Sequence, residues 1–571
     1  MNKIRKPVLV LFLLAILLAP RLSKLDSFVT LDEPFWLSVG GNFYYALGQR
    51  ELEKTVYEYH PAVTTMWIVT AAFLAYFPEY RGFGQGYFDV DKNFFDPFLL
   101  KHNISPLHLL YFARLFQVAV IVLFAMAIYY LLSLLFGEEK AFLVTAFISS
   151  APYFLGHSRV LSHEAMVAFF VLASILGMMA YLEYERRWYY LFISAASAAL
   201  AQLTKSSAMA MIPVIALMLA VSVFAKMKQQ SFGHALLDHL KILGFWLAGL
   251  VIVYVVVWPG MWVAPGKMMY EVYGNAFSYA FQGARLQVTH ELVPSTFKLD
   301  APASMIKSFF TYLIWYATPA SWAGMFLAGI FLFWQEEDVI SSVYKRLILY
   351  LVLAAFMFIL LFSVAQGRNS PHYIMTSYVS MDAVAALGWC GLIGWAGTKY
   401  GKTAHTFVIT GCMLALILFQ LASAMSYYPY YYTYSNPIMR MMTGGTPLSN
   451  YGEGFEQAAA YLAQKPGSGS LKVLAIHGRG PLSYFFPGQT IILNLIFLND
   501  PGMPSLLERM AGTDYLVIND STGSPSARIK LFMDALSSTP PEKVIQIKGV
   551  LPIRIYRIAD LPPSFYEAIS K

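Results

Sequence analysis

Charge is what this sequence most lacks. Of its 571 residues only 13% are Asp, Glu, Lys or Arg, while 58% are apolar. A soluble domain carries about 25% charged residues, so a soluble chain of this length would be short of polar side chains to cover its surface. The shortage excludes a disordered protein and an ordinary soluble enzyme, and it favours a chain that crosses a membrane several times. Cysteine is nearly absent. Cys390 and Cys412 both sit in apolar runs, which excludes a disulfide framework. HExxH and CxxC spacings are missing, so no metal and no other cofactor is expected. There is no internal repeat, no low-complexity segment and no nucleotide-binding glycine fingerprint. What is abundant is aromatic: 38 Tyr and 43 Phe suit interfacial belts and loops lying on a bilayer.

Long apolar runs supply the architecture. A spanning helix needs about 20 mostly apolar residues. Lys3, Arg5 and Lys6 precede the apolar stretch 7–20. No small-residue cleavage site follows it, so it reads as an uncleaved first span rather than a signal peptide. Ten further spans are expected at 108–136, 141–156, 163–182, 188–203, 207–225, 240–262, 308–334, 346–365, 372–397 and 405–428. The stretch 63–77, between His60-Pro61 and Pro78, is short for a span and reads as an interfacial or re-entrant helix. Orientation rests on that choice. With 63–77 outside the count, Lys140, Arg186, Arg187, Lys226, Lys228, Lys241, Lys345, Arg346, Lys399 and Lys402 all fall in cytoplasmic loops, as the positive-inside rule requires. Counting it as a span would put every one of them outside. The net charge of +7 is then mostly topology, and no nucleic-acid partner is expected.

The expected fold is therefore an α-helical polytopic membrane protein with about 11 transmembrane helices plus interfacial helices. Its N-terminus lies in the cytoplasm and its long outer loops are 24–107 and 263–305. Residues 1–438 form the membrane domain. From 439 onwards apolar runs shorten and Gly, Pro and Ser become frequent. Short β-type runs at 472–477, 490–495, 514–519, 544–548 and 553–558 alternate with helical patterns at 455–463 and 524–536. This predicts an extracytoplasmic α/β domain over 439–571.

Under this topology a mixed set of ionisable groups collects at the outer ends of the spans. It comprises Asp32-Glu33, His60-Pro61, His157-Ser158-Arg159, His163-Glu164, Lys205, His290-Glu291, and Arg368 with His372-Tyr373. Taken singly each has a plainer reading. Asp-Glu-Pro is a helix-start signal, His163-Glu164 an interfacial cap, Lys205 a snorkelling side chain and Arg368 a solvated loop residue. Glu138-Glu139-Lys140 and Glu336-Glu337-Asp338 read as solvated cytoplasmic loops. The run Tyr427–Tyr432 reads as an interfacial belt. Together, however, acids and bases at a membrane surface suit transfer from a lipid-phosphate donor. The anionic leaving group needs Lys or Arg, and a neutral hydroxyl nucleophile needs a carboxylate base.

The order of these motifs is more specific than any member. Asp32-Glu33 is followed by His60-Pro61, by Ala113-Arg114-Leu115, by Ser158-Arg159 through His163-Glu164-Ala165, and by Leu203-Thr204-Lys205. The tail adds Tyr428-Pro429-Tyr430 through Asn436-Pro437, then Asn450-Tyr451-Gly452-Glu453-Gly454-Phe455. This set, over about residues 1–460, resembles the GT-C membrane glycosyltransferases. The nearest likeness is to the bacterial dolichyl-phosphate-mannose protein mannosyltransferase-like and lipid A aminoarabinose transferase-like groups. The resemblance implies a GT-C-like membrane domain and an inverting glycosyltransferase of the cell (inner) membrane. It would move a sugar from a polyprenyl-phosphate donor to an acceptor hydroxyl on the outer face, as in protein O-mannosylation. It places Asp32 as general base with Glu33 as its partner and Glu164 as a second acid. Lys205, Arg368 and His60 become donor-phosphate ligands, and His163, Arg159, His372 and Tyr373 orient substrate. The chain has His372-Tyr373 where the family has Arg-Tyr, and Thr376 where it has Pro. The implied partners are the donor, the bilayer and an acceptor that is protein, lipid or glycan. The alternatives are a transporter or flippase of lipid-linked sugars, for which intramembrane charge and inverted repeats would be the marks, and a non-catalytic scaffold.

Overall fold

The computed structural model describes residues 2–57, 60–90, 92–227, 229–282, 300–334, 341–365, 369–399, 402–493, 506–520 and 527–570. It is mostly helical. Among the described residues six helices are long and apolar enough to cross a membrane: Pro106–Phe136, Glu164–Tyr184, Ser206–Lys226, Phe232–Val257, Ser342–Val364 and Pro371–Ala396. Shorter apolar helices occupy Val63–Tyr76, Pro319–Leu332 and Ile409–Met425. The chain is a multi-pass membrane protein. At about 1.5 Å per residue, the 14 residues of Val63–Tyr76 fall short of a hydrocarbon core of about 30 Å.

Each run expected to span is helical, but several boundaries differ for a local reason. The run 141–156 breaks at Ala151, where Pro152 opens a new helix, Pro152–His157. The run 308–334 breaks between Asp300–Tyr316 and Pro319–Leu332. Thr318 caps the second helix by accepting from the Ser321 N–H at 3.1 Å, and Pro319 takes the first helical position. That is a standard N-terminal signal, hidden in the sequence by the apolar residues on both sides. The helix expected from 240 begins at Phe232 and ends at Val257. Glu138-Glu139-Lys140 is not loop but the first turn of the helix Glu138–Ser150, where acids complement the helix dipole. The segment 24–107, expected as one outer loop, contains the helices Glu33–Gln49, Val63–Tyr76 and Phe95–Lys101. Glu336-Glu337-Asp338 lies outside the described residues.

The chain divides into two compact units. The first comprises Met1–Ser23, Val39–Tyr87 and Phe112–Gly445. Its centre is the helix Glu164–Met179, whose span is 89% buried, against 17% for Phe232–Val257 at the periphery. Small residues let helices approach closely here. A Cβ built on Gly388 would lie 2.0 Å from the Gly324 carbonyl oxygen, and one on Gly324 would lie 2.4 Å from that of Ala385. The aromatic run forms no lipid-facing belt. Tyr427, Tyr430, Tyr431 and Tyr432 are buried, and the Tyr431 hydroxyl donates to the Pro20 carbonyl at 3.1 Å.

The second unit comprises Lys24–Ser38, Phe88–Tyr111 and Thr446–Lys571. Its core is a five-stranded mixed sheet, ordered β2-β1-β3-β5-β4. The strands are β1 (Lys472–Ala475), β2 (Gln489–Ile492), β3 (Tyr515–Asn519), β4 (Lys543–Ile545) and β5 (Ile553–Arg557). β1 runs parallel to β2 and β3, while β5 is antiparallel to β3 and β4. β3 is buried at every position because both sheet faces are covered, so its sequence is apolar without alternation from Tyr515 to Ile518 and turns polar only at Asn519. Phe455, Ala458, Ala459 and Leu462 pack on one face, and Phe532, Leu536 and Phe565 on the other.

Candidate active site

Two polar groups stand out, one in each unit. In the first unit Lys205 follows the last turn of the helix Trp188–Thr204, and Glu164 opens the helix Glu164–Met179. Lys205 Nζ donates to Glu164 Oε1 at 2.7 Å, with the two side chains only 3% and 12% exposed. The ammonium also lies 4.5 Å from the centre of the Tyr373 ring and 5.3 Å from that of Phe362, a cation–π arrangement that strengthens once desolvated. Phe362 and Tyr373 stack on each other. One carboxylate and two ring faces are thus among the groups around the cation.

The start of the helix Val63–Tyr76 fits against the same residues. The Ala62 N–H donates to the Thr204 carbonyl at 3.3 Å. Thr64 and Thr204 share a hydroxyl–hydroxyl bond of 2.7 Å, and Thr65 bonds His163 Nδ1 at 2.7 Å. His60 comes with this segment, its ring centre 6.0 Å from that of His163. His372 and Tyr373, though adjacent in sequence, diverge. Tyr373 faces Lys205, while His372 lies 5.9 Å from the His157 ring. Arg159 is buried. It donates to the Ser23 and Pro429 carbonyls and lies over the Tyr431 ring, so it ties the end of the first helix to the tyrosine-rich segment. Arg21, which the sequence pattern does not single out, does similar work through Ser158 Oγ at 2.8 Å and the Ser149 carbonyl at 2.9 Å. Arg368, His290 and Glu291 lie outside the described residues.

In the second unit the neighbouring acids Asp32 and Glu33 separate in role. Thr30-Leu31-Asp32-Glu33 has the spacing of a capping box. Glu33, 0% exposed, reaches back so that its Oε2 accepts from the Thr30 N–H at 2.8 Å. Its carboxylate is used in starting the helix Glu33–Gln49. Asp32 is exposed, and its Oδ2 accepts from the Tyr451 hydroxyl. The loop that carries Tyr451 is itself fixed. The Leu31 N–H donates to the Tyr451 carbonyl at 3.1 Å. The Tyr451 N–H donates to Glu453 Oε2 at 2.7 Å, and Ser449 donates to the other oxygen of Glu453. Asn450 accepts from Asn519 and bonds His477 Nε2 at 2.8 Å. Burial lowers His477 to about 4, so at neutral pH its ring is uncharged. Nearby, Arg479 joins Asp96, at 3.0 Å, to Ser38 and to the Pro34 and Val90 carbonyls. Burial lifts the Asp96 carboxyl above its usual value against the pull of Arg479. Neither Tyr451 nor this network is visible as a site in the sequence, because the partners lie hundreds of residues apart.

Among the described residues no three His, Cys, Asp or Glu side chains gather as a metal site. The polar chemistry available is a buried cation beside a carboxylate, the imidazoles of His163 and His60 in the same unit, and an exposed carboxylate with a phenol bonded to it.

Residues 110–259, about a quarter of the chain, match the family model described as dolichyl-phosphate-mannose-protein mannosyltransferase. Over that stretch the chain resembles a GT-C mannosyltransferase. The matched residues include Arg159, His163, Glu164 and Lys205. Similar solved structures include ArnT from Cupriavidus metallidurans bound to undecaprenyl phosphate. It shares 12% identity, with 97% of this chain and 99% of that chain covered and a TM-score of 0.49. The apo state of the same protein gives 13% identity, the same coverage and a TM-score of 0.45. The archaeal oligosaccharyltransferase AglB from Archaeoglobus fulgidus, in complex with an inhibitory peptide and a dolichol-phosphate, shares 10% identity over 89% of this chain and 69% of that chain, with a TM-score of 0.40. No curated protein matches the chain.

Proposed function

We propose that this protein is an inverting glycosyltransferase that moves a sugar from a polyprenyl-phosphate donor to an acceptor hydroxyl on the outer face of the membrane. The observation that carries this reading is the Lys205–Glu164 pair beneath the Tyr373 ring, within the residues that resemble a mannosyltransferase. A phosphate reaching Lys205 would meet a cation that is already charged, desolvated and aimed. Such a group stabilises the charge that grows on a phosphate leaving group without reorganising at the moment of reaction. His60 and Arg368 are assigned with Lys205 to the donor phosphate, and His163, Arg159, His372 and Tyr373 to orienting substrate.

Asp32 is the base in this reading. It is the exposed acid of the Asp32-Glu33 pair, whereas Glu33 is held in the helix cap. Asp32 takes the proton of the acceptor hydroxyl as the acceptor oxygen bonds to the anomeric carbon. The bond from that carbon to the phosphate oxygen breaks, and polyprenyl phosphate leaves with its electrons. The test is release of labelled polyprenyl phosphate by purified protein, given cell-envelope extract as the source of acceptor hydroxyls, from a panel of polyprenyl-phosphate-linked pentoses and hexoses, mannose included. Wild type should cleave at least one donor. Asp32→Asn should fall by at least about 100-fold, the usual worth of general-base catalysis, while melting at the same temperature. Transport of the donors across vesicles without cleavage would favour the flippase reading and overturn this one.

A further inference from the structure

We infer that Tyr451 is a positioning residue for Asp32, a role the tail segment Asn450–Phe455 is built to support. The inference rests on the reading of Asp32 as the base. Three observations converge. First, the Tyr451 hydroxyl donates to Asp32 Oδ2 across 419 residues of sequence. Second, the backbone of Tyr451 is held on both sides: its carbonyl accepts from Leu31, next to Asp32, and its N–H donates to Glu453, which is itself 1% exposed. Third, Gly452 has φ +106°, and a Cβ there would lie 2.8 Å from both the Val29 carbonyl oxygen and Pro481 Cγ. The loop therefore lies against residues 29–31 so closely that only glycine fits. The phenol is fixed by the fold before any substrate arrives.

An exposed Asp samples several rotamers, and each wrong one removes the base from the line of the acceptor proton. A donor fixed on Oδ2 selects one rotamer, so the base is held in place before the acceptor binds. A phenol hydroxyl bonds an ionised carboxylate more strongly than a protonated one, which gives the pH profile as a readout, and Tyr451 gives up no proton of its own.

The experiment is the pH dependence of kcat/KM for Tyr451→Phe, Glu453→Gln and Asp32→Asn beside wild type. Release of polyprenyl phosphate from polyprenyl-phosphate mannose, or from whichever donor wild type cleaves best, is the readout. Tyr451→Phe keeps the ring and loses the hydroxyl. Its acid limb should move to higher pH by about one unit, the size of a hydrogen bond to a charged group. Its kcat should fall about tenfold through loss of alignment, with the donor KM unchanged. Glu453→Gln leaves the phenol in place but loosens its loop, and should move the same limb in the same direction. An inactive Asp32→Asn with an unmoved limb in both other variants overturns the inference alone. Near-normal turnover by Asp32→Asn overturns the base assignment and this inference with it.

Discussion

At the scale of single residues the most informative feature is that Lys205 is charged where water is scarce. With side chains 3% and 12% exposed, neither member of the Lys205–Glu164 pair has much solvent to replace its partner. Removing one partner of a buried pair leaves the other charge uncompensated, which costs about 3–5 kcal/mol, whereas replacing both by uncharged groups of similar volume is often neutral. Lys205→Met and Glu164→Gln should therefore each lower the melting temperature of the detergent-solubilised protein clearly. The double variant should recover most of that loss, and it should still release no polyprenyl phosphate. This separates the two jobs of the pair: stability returns when the charges are removed together, but the phosphate contact does not. Single variants that melt like wild type would show that the pair is solvated and would remove the desolvated cation from the proposed mechanism.

At the scale of elements the key contact is that between Pro319–Leu332 and Met375–Lys399. Between apolar helices in lipid there is little hydrophobic gain, and close packing through small residues takes its place. Gly324, Ala328, Ala385 and Gly388 provide it, with Gly388 at a distance from the Gly324 carbonyl that allows no side chain. Gly388→Leu should force the helices apart, cost at least about 1–3 kcal/mol and lower the melting temperature. Gly394→Leu, on the same helix but in open space, should leave it unchanged, and equal effects would show that the cost is one of helix propensity alone. Such contacts mark how far the sequence can be read. Helix positions were legible because each run of apolar residues needs a helix to satisfy its backbone in lipid. The strands were legible to within a residue or two at most ends, because short β-branched runs sit between turn residues. The breaks at Ala151 and Ala317 were not, since Pro152 and Thr318-Pro319 are weak punctuation inside long apolar windows. Nor was the division between Asp32 and Glu33. Which of two adjacent acids caps a helix and which stays exposed depends on backbone geometry, and the Tyr451–Asp32 bond joins residues too distant for any local pattern.

At the scale of the whole molecule, two groups of polar contacts in the first unit bear on its orientation. Lys6 pairs with Glu138, Arg346 with Glu183, and Asp238 with both Arg186 and Lys226. All of these lie in or next to segments that the positive-inside rule puts in the cytoplasm. Lys205 pairs with Glu164, His60 lies by His163, and His157 by His372, and all six belong to the proposed outer face. The proposed topology puts the first group inside, where basic loops are retained, and puts both the second group and the tail outside. Cysteine labelling tests this directly, because the two native thiols, Cys390 and Cys412, are easily replaced by Ala. In that background an impermeant maleimide added to intact cells stripped of their outer barrier should label Lys472→Cys. It should label Lys226→Cys only after the membrane is opened. The reverse pattern would place the Lys205 site in the cytoplasm. The lipid-linked donor would then have to be used on the inner leaflet, and the outer-face reaction proposed for Asp32 would fail, although every contact described within the two units would stand.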